Sequence, residues 1–381
     1  MRKIFALLMA LLIIFCVLPS GSRAGENIAG SEKTTWRNIV SDIVGHYPLS
    51  TDQANTNPGQ KGKLGETKNW LFDFGLQRYI VSHTSYEIGS TAPPYQEPIS
   101  RLEFPLDTWW LQFELRRTCP RWSVGGKSGL SVARNIDGRM KDTDWLRIES
   151  PETVTTYSEG ALRAEQNYLF RGDVDVNIAD WLGLPPSFEI RPLFAFEFQR
   201  FSMMDHDGIQ WESGNYSMDL DGDGDDDDGH MKPIADSDVL DIQQLPGDTI
   251  HFRQDYYMYL VGLRGSCDLM KPCKYITVRL RGEADWGPAL TYYEDHHLLR
   301  EGDLFAYGKG QGNTLYFLAG LEMVLAKTVT IGIDMDYLSF RTTRATTWQI
   351  NVPLHEDQSW RNGVKMWSDQ TSLIAHVSCA F

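Results

Sequence analysis

Two short segments carry the residue types that hydrolytic chemistry needs. "KDTDW" (141–145) offers Asp142 and Asp144, and "YEDHH" (293–297) offers Asp295 and His297. A carboxylate beside a histidine holds the ring and raises its pKa, so the imidazole can take a proton from water. Two close carboxylates push one pKa up, so one of them can hold a proton and donate it. Water attacks directly in such a site, and no Ser or Cys nucleophile is needed. Each segment alone is a weak signal, because Asp-x-Asp in a loop is commonly solvated charge and adjacent histidines commonly sit on surfaces. The same four side chains have a second chemical reading, as ligands of a metal ion.

A louder acidic run competes with them, "MDLDGDGDDDDGH" (218–230). Asp219, Asp221, Asp223 and Gly224 fit the D-x-D-x-D-G start of an EF-hand-like calcium loop, and Asp225 adds a further carboxylate. The twelfth position is His230 rather than a bidentate Glu, and no flanking helix pattern is evident. The run reads as a calcium clamp on a loop or as solvated charge, not as a reaction centre.

The elements that must position these groups read in period two. In "YITVRLRGEADW", Ile276, Val278, Leu280, Ala284 and Trp286 alternate with Thr277, Arg279, Arg281, Glu283 and Asp285. Val174, Val176 and Ile178 alternate with Asp173, Asp175 and Asn177, and Val329, Ile331, Ile333 and Met335 with Thr330, Asp334 and Asp336. A soluble sheet with one buried face fits this pattern, and so does a transmembrane barrel with lipid outside and a polar lumen. Long strands, long connections alternating with short ones, and aromatic pairs near strand ends (Trp109-Trp110, Tyr256-Tyr257, Tyr292-Tyr293) favour the barrel.

The expected fold is all-β, a ten-stranded antiparallel transmembrane β-barrel over residues 70–381. Its strands fall near 71–88, 99–117, 121–138, 161–179, 187–203, 250–265, 274–290, 313–326, 328–346 and 363–381. Connections at 89–98, 139–160, 204–249, 291–312 and 347–362 then lie on the extracellular side, and turns near 118–120, 180–186, 266–273 and 327 lie in the periplasm. In this arrangement the two chemical segments face each other across the extracellular mouth, and the aspartate run hangs over the rim.

Residues 1–24 read as a signal peptide, with Arg2 and Lys3, an apolar stretch from Leu7 to Leu18 and a small-x-small site at Ser22-Arg23-Ala24. Its removal takes the formal net charge from −15 to −18, which disfavours nucleic acid as a partner. Residues 25–69 read as a periplasmic extension, with a short helical face at 34–47 and a Gly-rich linker. Cys267 and Cys273 bracket "DLMKP", a short turn, and an exported protein can oxidise them to a local disulfide; metal binding is the alternative, with no companion Cys or His pattern nearby, while Cys119 and Cys379 have no evident pairing.

With these residues in place the chain resembles the omptins, outer-membrane proteases with ten-stranded barrels. "DTDW" resembles the family's Asp-x-Asp-Trp in the second outer loop, and Asp295 and His297 its Asp-x-His in the fourth. "LRAEQNYLFRGDVDVNIADWL" (162–182) resembles the strand that follows, the C-terminal Phe381 resembles the terminal signature of outer-membrane barrels, and the likeness covers about 71–381. The resemblance implies an endopeptidase in which Asp142, Asp144, Asp295 and His297 are catalytic, acting on peptide or protein substrates at the cell surface without a required cofactor. It further implies Glu87 as the floor of a pocket preferring basic side chains. The second pocket acid aligns with Tyr293, and Glu294 is the nearest substitute. Lipopolysaccharide is implied as an activator, with Arg200 resembling one of the residues that bind it and Asp255 standing where another would be. The rival reading is a non-catalytic outer-membrane barrel, an adhesin or pore, with a calcium-binding outer loop.

Overall fold

Alternation survives into three dimensions as long antiparallel strands. The computed structural model describes residues 69–89, 98–119, 121–145, 154–213, 239–299, 304–326, 328–350, 358–361 and 363–381. The signal peptide, the extension up to residue 68 and the aspartate run with Asp219, Asp221, Asp223 and Asp225 lie outside them.

Among the described residues there are fifteen strands: β1 Asn69–Tyr79, β2 His83–Ile88, β3 Ser100–Pro105, β4 Trp109–Thr118, β5 Trp122–Ser131, β6 Asn135–Asp144, β7 Thr156–Ala164, β8 Tyr168–Val176, β9 Phe188–Ser213, β10 Val239–Cys273, β11 Ile276–His297, β12 Leu304–Leu325, β13 Val329–Ile350, β14 Gln358–Trp360 and β15 Lys365–Ala380. They make ten tracks, because β1 and β2, β3 and β4, β5 and β6, β7 and β8, and β14 and β15 each follow one another along a single path. The lower ladder runs β1–β4–β5–β8–β9–β10–β11–β12–β13–β15 and returns to β1, so the sheet closes on itself. The upper ladder continues through β15–β2–β3–β6–β7–β9. Closure leaves the lower ladder without an edge, as a membrane-spanning sheet requires, whereas β14 in the upper part pairs with β13 alone among the described residues.

The first four tracks are interrupted at one level. Val81 takes a positive φ of 52°, and Asp107 accepts hydrogen bonds from the Val81 and Ser82 amides at 2.8 and 2.7 Å. A bulge between Ile136 and Arg139 includes Gly138 at φ 100°, a conformation that suits glycine.

The outer ends run further than the expected boundaries. Strands continue through Asp144, Ser213 and His297 and restart at Thr156, Val239 and Leu304, inside segments expected to be connections. The physical reason is a second apolar cluster, Trp145, Val154, Tyr157 and Trp211. It gives the overhanging sheet a small core of its own. At roughly 3.3 Å per residue, a 35-residue strand such as β10 far exceeds an apolar band of about 25 Å.

The expected turn at 266–273 is likewise strand, and Cys267 and Cys273 are free thiols rather than a disulfide. Cys267 sits opposite Leu280 and Cys273 opposite Ile276. Their ladder partners are four residues apart on β11, so even with the two bulges between them the cysteines stand roughly 13 Å apart along the sheet, beyond the reach of a disulfide.

The faces are inverted relative to a soluble sheet. Phe72, Leu115, Phe170, Phe194, Trp286 and Ile333 are exposed, while Gln77, Gln112, Arg171, Asp285 and Asp334 are buried. That is a lipid-facing exterior and a polar interior. Each expected aromatic pair splits by alternation: Trp109 and Tyr292 are exposed, whereas Trp110, Tyr256 and Tyr293 are buried. The lumen is filled in layers. An arginine–carboxylate network occupies the lower part, and Phe104, Trp110, Phe201, Phe252, Tyr256 and Phe340 pack above it.

Candidate active site

The site lies above that aromatic layer, at the end of the barrel away from Trp70 and Phe381. On β6, Asp142 pairs in register with Leu102 and Ser158, and Asp144 with Ser100 and Thr156. Leu102 is buried inside the ring, so both aspartates share its inward face. On β11, Asp295 is opposite Phe252 and His297 opposite Ile250, which also face inward. The four expected side chains are therefore brought to one rim from two walls, and all four are buried.

Nε2 of His297 lies 3.0 Å from Oδ2 of Asp295. The buried hydroxyl of Tyr86, on β2, donates to the same oxygen. Asp142, Asp144 and His297 line one cavity of about 390 Å³. Its other acids are Glu159, Asp205 and Glu212, and among the described residues no Lys or Arg lines it.

Asp205 is a functional candidate that the sequence reading missed. It is 2% exposed, Oδ2 accepts a hydrogen bond from Thr249, and Oδ1 has no hydrogen-bond partner among the described residues. Burial pushes its carboxyl up to about 7, against a smaller opposing effect of the Thr249 hydroxyl. A Cβ on Gly160 would stand 2.0 Å from Oδ1, so glycine there makes room for the acid. The signal was available in "FSMMDHD": Phe201 and Met203 are inward, and alternation carries Asp205 inward with them. Tyr86 was equally legible from its spacing to Thr84.

Other expected residues are not in the cleft. Glu87 shares its face with its register partners Arg101 and Lys365, and ion-pairs with them at 2.7 and 3.7 Å. Tyr86, the neighbouring residue, is the one that faces Asp295. Glu294 points away from Tyr293 and pairs with Arg253 at 2.5 Å. The position facing Tyr86 is filled instead by Tyr293, whose ring stacks on it at 4.5 Å. Arg200 is on the outer wall, but Asp255 holds its guanidinium through two hydrogen bonds of 2.6 Å. Its guanidinium carbon lies 5.6 Å from the Tyr168 ring centroid, among the outward aromatics. Among the described residues no three His, Cys, Asp or Glu side chains are disposed to hold a metal ion.

A pair of carboxylates, an Asp–His pair and a polar cavity between them can activate and deliver water. Comparison with curated proteins gives no match. Among solved structures, the chain is similar to the outer membrane protease OmpT from Escherichia coli, with a TM-score of 0.68 and 15% identity over 84% of this chain and 100% of that one. The translocator domain of the autotransporter NalP from Neisseria meningitidis aligns with a TM-score of 0.30 and 8% identity, over 89% of this chain and 92% of that one. The β-domain of the Bordetella autotransporter BrkA gives a TM-score of 0.24 and 10% identity, over 81% and 98%. The first of these shows a shared barrel fold; the other two carry no argument. The sequence itself matches the Omptin family over residues 96–351, and the chain belongs to that family.

Proposed function

We propose that the chain is an outer-membrane endopeptidase that hydrolyses peptide bonds with a water activated between Asp295–His297 and Asp142–Asp144. Family membership carries the coarser part, an outer-membrane protease acting on peptide or protein substrates. The observation that supports the finer part is the 3.0 Å Asp295–His297 contact on the same cavity as the two β6 aspartates.

The carboxylate favours the tautomer with the proton on Nε2, so Nδ1 carries the lone pair that accepts a proton from water. The water oxygen forms a bond to the carbonyl carbon as that proton leaves. Return of the proton to the amide nitrogen breaks the C–N bond and releases the amine. Two carboxyls on the facing wall favour a shared proton, which stabilises the oxyanion as it forms. A cavity lined by five acids and no Lys or Arg supports a preference for cationic substrates, although Glu87 does not supply it. The rim opens on the side away from both described termini, which supports an extracellular orientation.

Refolded protein supplied with lipopolysaccharide should cleave fluorogenic peptides containing basic residues. Cleavage should vanish in Asp142→Ala and His297→Ala and persist in EDTA. Strict loss in EDTA would point instead to metal chemistry at these four residues. Calcium held by Asp219, Asp221, Asp223 and Asp225 would act away from bond cleavage, so chelation should leave turnover standing.

A further inference from the structure

The Asp295 carboxylate is held asymmetrically. Oδ2 receives both the Tyr86 hydroxyl and the His297 ring nitrogen, while Oδ1 has no hydrogen-bond partner among the described residues. Tyr86 is 1% exposed and cannot swing away. Its ring stacks on Tyr293 with centroids 4.5 Å apart and lies nearly parallel to Phe252 at 5.9 Å. Phe252 in turn stacks on Phe104 at 3.9 Å. A four-ring stack therefore delivers one hydroxyl to one carboxylate oxygen.

We infer that Tyr86 is a positioning residue, whose hydroxyl fixes the Asp295 carboxylate and draws off part of the charge that would otherwise bind the His297 imidazolium. The inference rests on the water-activation reading of the site. A hydrogen bond to an ionised carboxylate stabilises it, and a carboxylate so satisfied attracts a neighbouring imidazolium less strongly. His297 then holds its proton less tightly and is available as a base at lower pH. Burial, and next the Asp295 charge, push the Tyr86 hydroxyl well up, so it remains a donor throughout the working range. The other titratable groups around the pair are Asp142 and Asp144 on β6, Glu159 on β7, Asp205 and Glu212 on β9 and Tyr293 on β11, and among the described residues no Lys or Arg lines the cavity. Among the described residues, Tyr86 is the donor that reaches Asp295 from outside β11.

The test compares Tyr86→Phe with Tyr293→Phe. Each removes one hydroxyl from the same stack, but the Tyr293 hydroxyl bonds Thr347 Oγ1 at 2.7 Å and not Asp295. Two readouts are taken across pH: kcat/KM for peptide cleavage, and the His297 ring titration followed by NMR of isotope-labelled histidine, assigned with His297→Ala. In Tyr86→Phe the acidic limb of kcat/KM and the His297 titration should both move up by about half a unit or more. KM should change little, and Tyr293→Phe should track the parent. An unshifted His297 titration in Tyr86→Phe, or equal shifts in both variants, overturns the inference. If the parent cleaves no peptide while the titration still shifts, the hydrolase reading fails and the positioning role stands.

Discussion

The lower lumen and the upper rim are built from the same acids and behave as opposites. Below, most carboxylates meet a guanidinium, while Asp73 is held by His376 and Ser378. Arg171 reaches Glu197, Glu283 and Asp285 at 3.3, 2.5 and 2.6 Å, and Arg116 holds Asp173 at 2.7 Å. Arg264 ties Glu283 and Asp175 together at 2.5 and 2.9 Å. Above, Asp142, Asp144, Asp205 and His297 surround a cavity that among the described residues no Lys or Arg lines. Buried charge that is matched locks a structure, whereas acids gathered around a cavity are the raw material of proton transfer.

That contrast can be broken from either side. The largest effect is expected at the rim: Asp142→Asn or His297→Ala should cut kcat/KM by about 10³-fold, with the barrel's heat-modifiable gel mobility unchanged. A comparable loss from a lumen variant would erase the distinction. Next, Arg171→Met takes the guanidinium from Glu197 and Asp285, leaving Glu283 with Arg264, and should cost about 3–5 kcal/mol in denaturant unfolding from micelles. The folded fraction should keep its kcat.

Asp205→Asn comes third. Burial raises the Asp205 carboxyl to about 7, above its unfolded value of roughly 3.9. The neutral acid therefore favours the fold; that contribution is complete below about pH 4 and is lost as pH rises through about 7. The parent should lose about 1–3 kcal/mol relative to Asp205→Asn between pH 4 and 8, read as a divergence of unfolding midpoints. Parallel curves would mean the acid is ionised throughout. The smallest effect is at the outer wall. Asp255→Ala frees Arg200 at a stability cost of about 1 kcal/mol or less, and should increase the activation of peptide cleavage by lipopolysaccharide.

Much of this was legible in one dimension. Val174 and Val176 against Asp173 and Asp175 gave a lipid face and a lumen face, and the spacings in "DTDW" and "EDHH" gave the four rim residues. The misplacement of Glu87 has a specific cause. Gln77 and Tyr79 are inward below the break, whereas Thr84 and Tyr86 are inward above it. The irregular residues around Val81 shift the alternation by one, so counting through them puts Glu87 on the wrong face. The outer strand lengths were hidden for another reason: Tyr157 and Trp211 stack with each other far along the chain, a contact no local pattern announces.

The interrupted tracks give the two walls of the cleft unequal stiffness. Asp295 and His297 stand on β11, one unbroken strand laddered to β10 and β12 along its length. Asp142 and Asp144 stand on β6, which begins above a gap in its track and crosses a bulge before reaching them. Bending concentrates where ladder hydrogen bonds are missing. The Asp–His wall is thus the stiffer of the two, and any yielding of the rim is expected first on the aspartate wall.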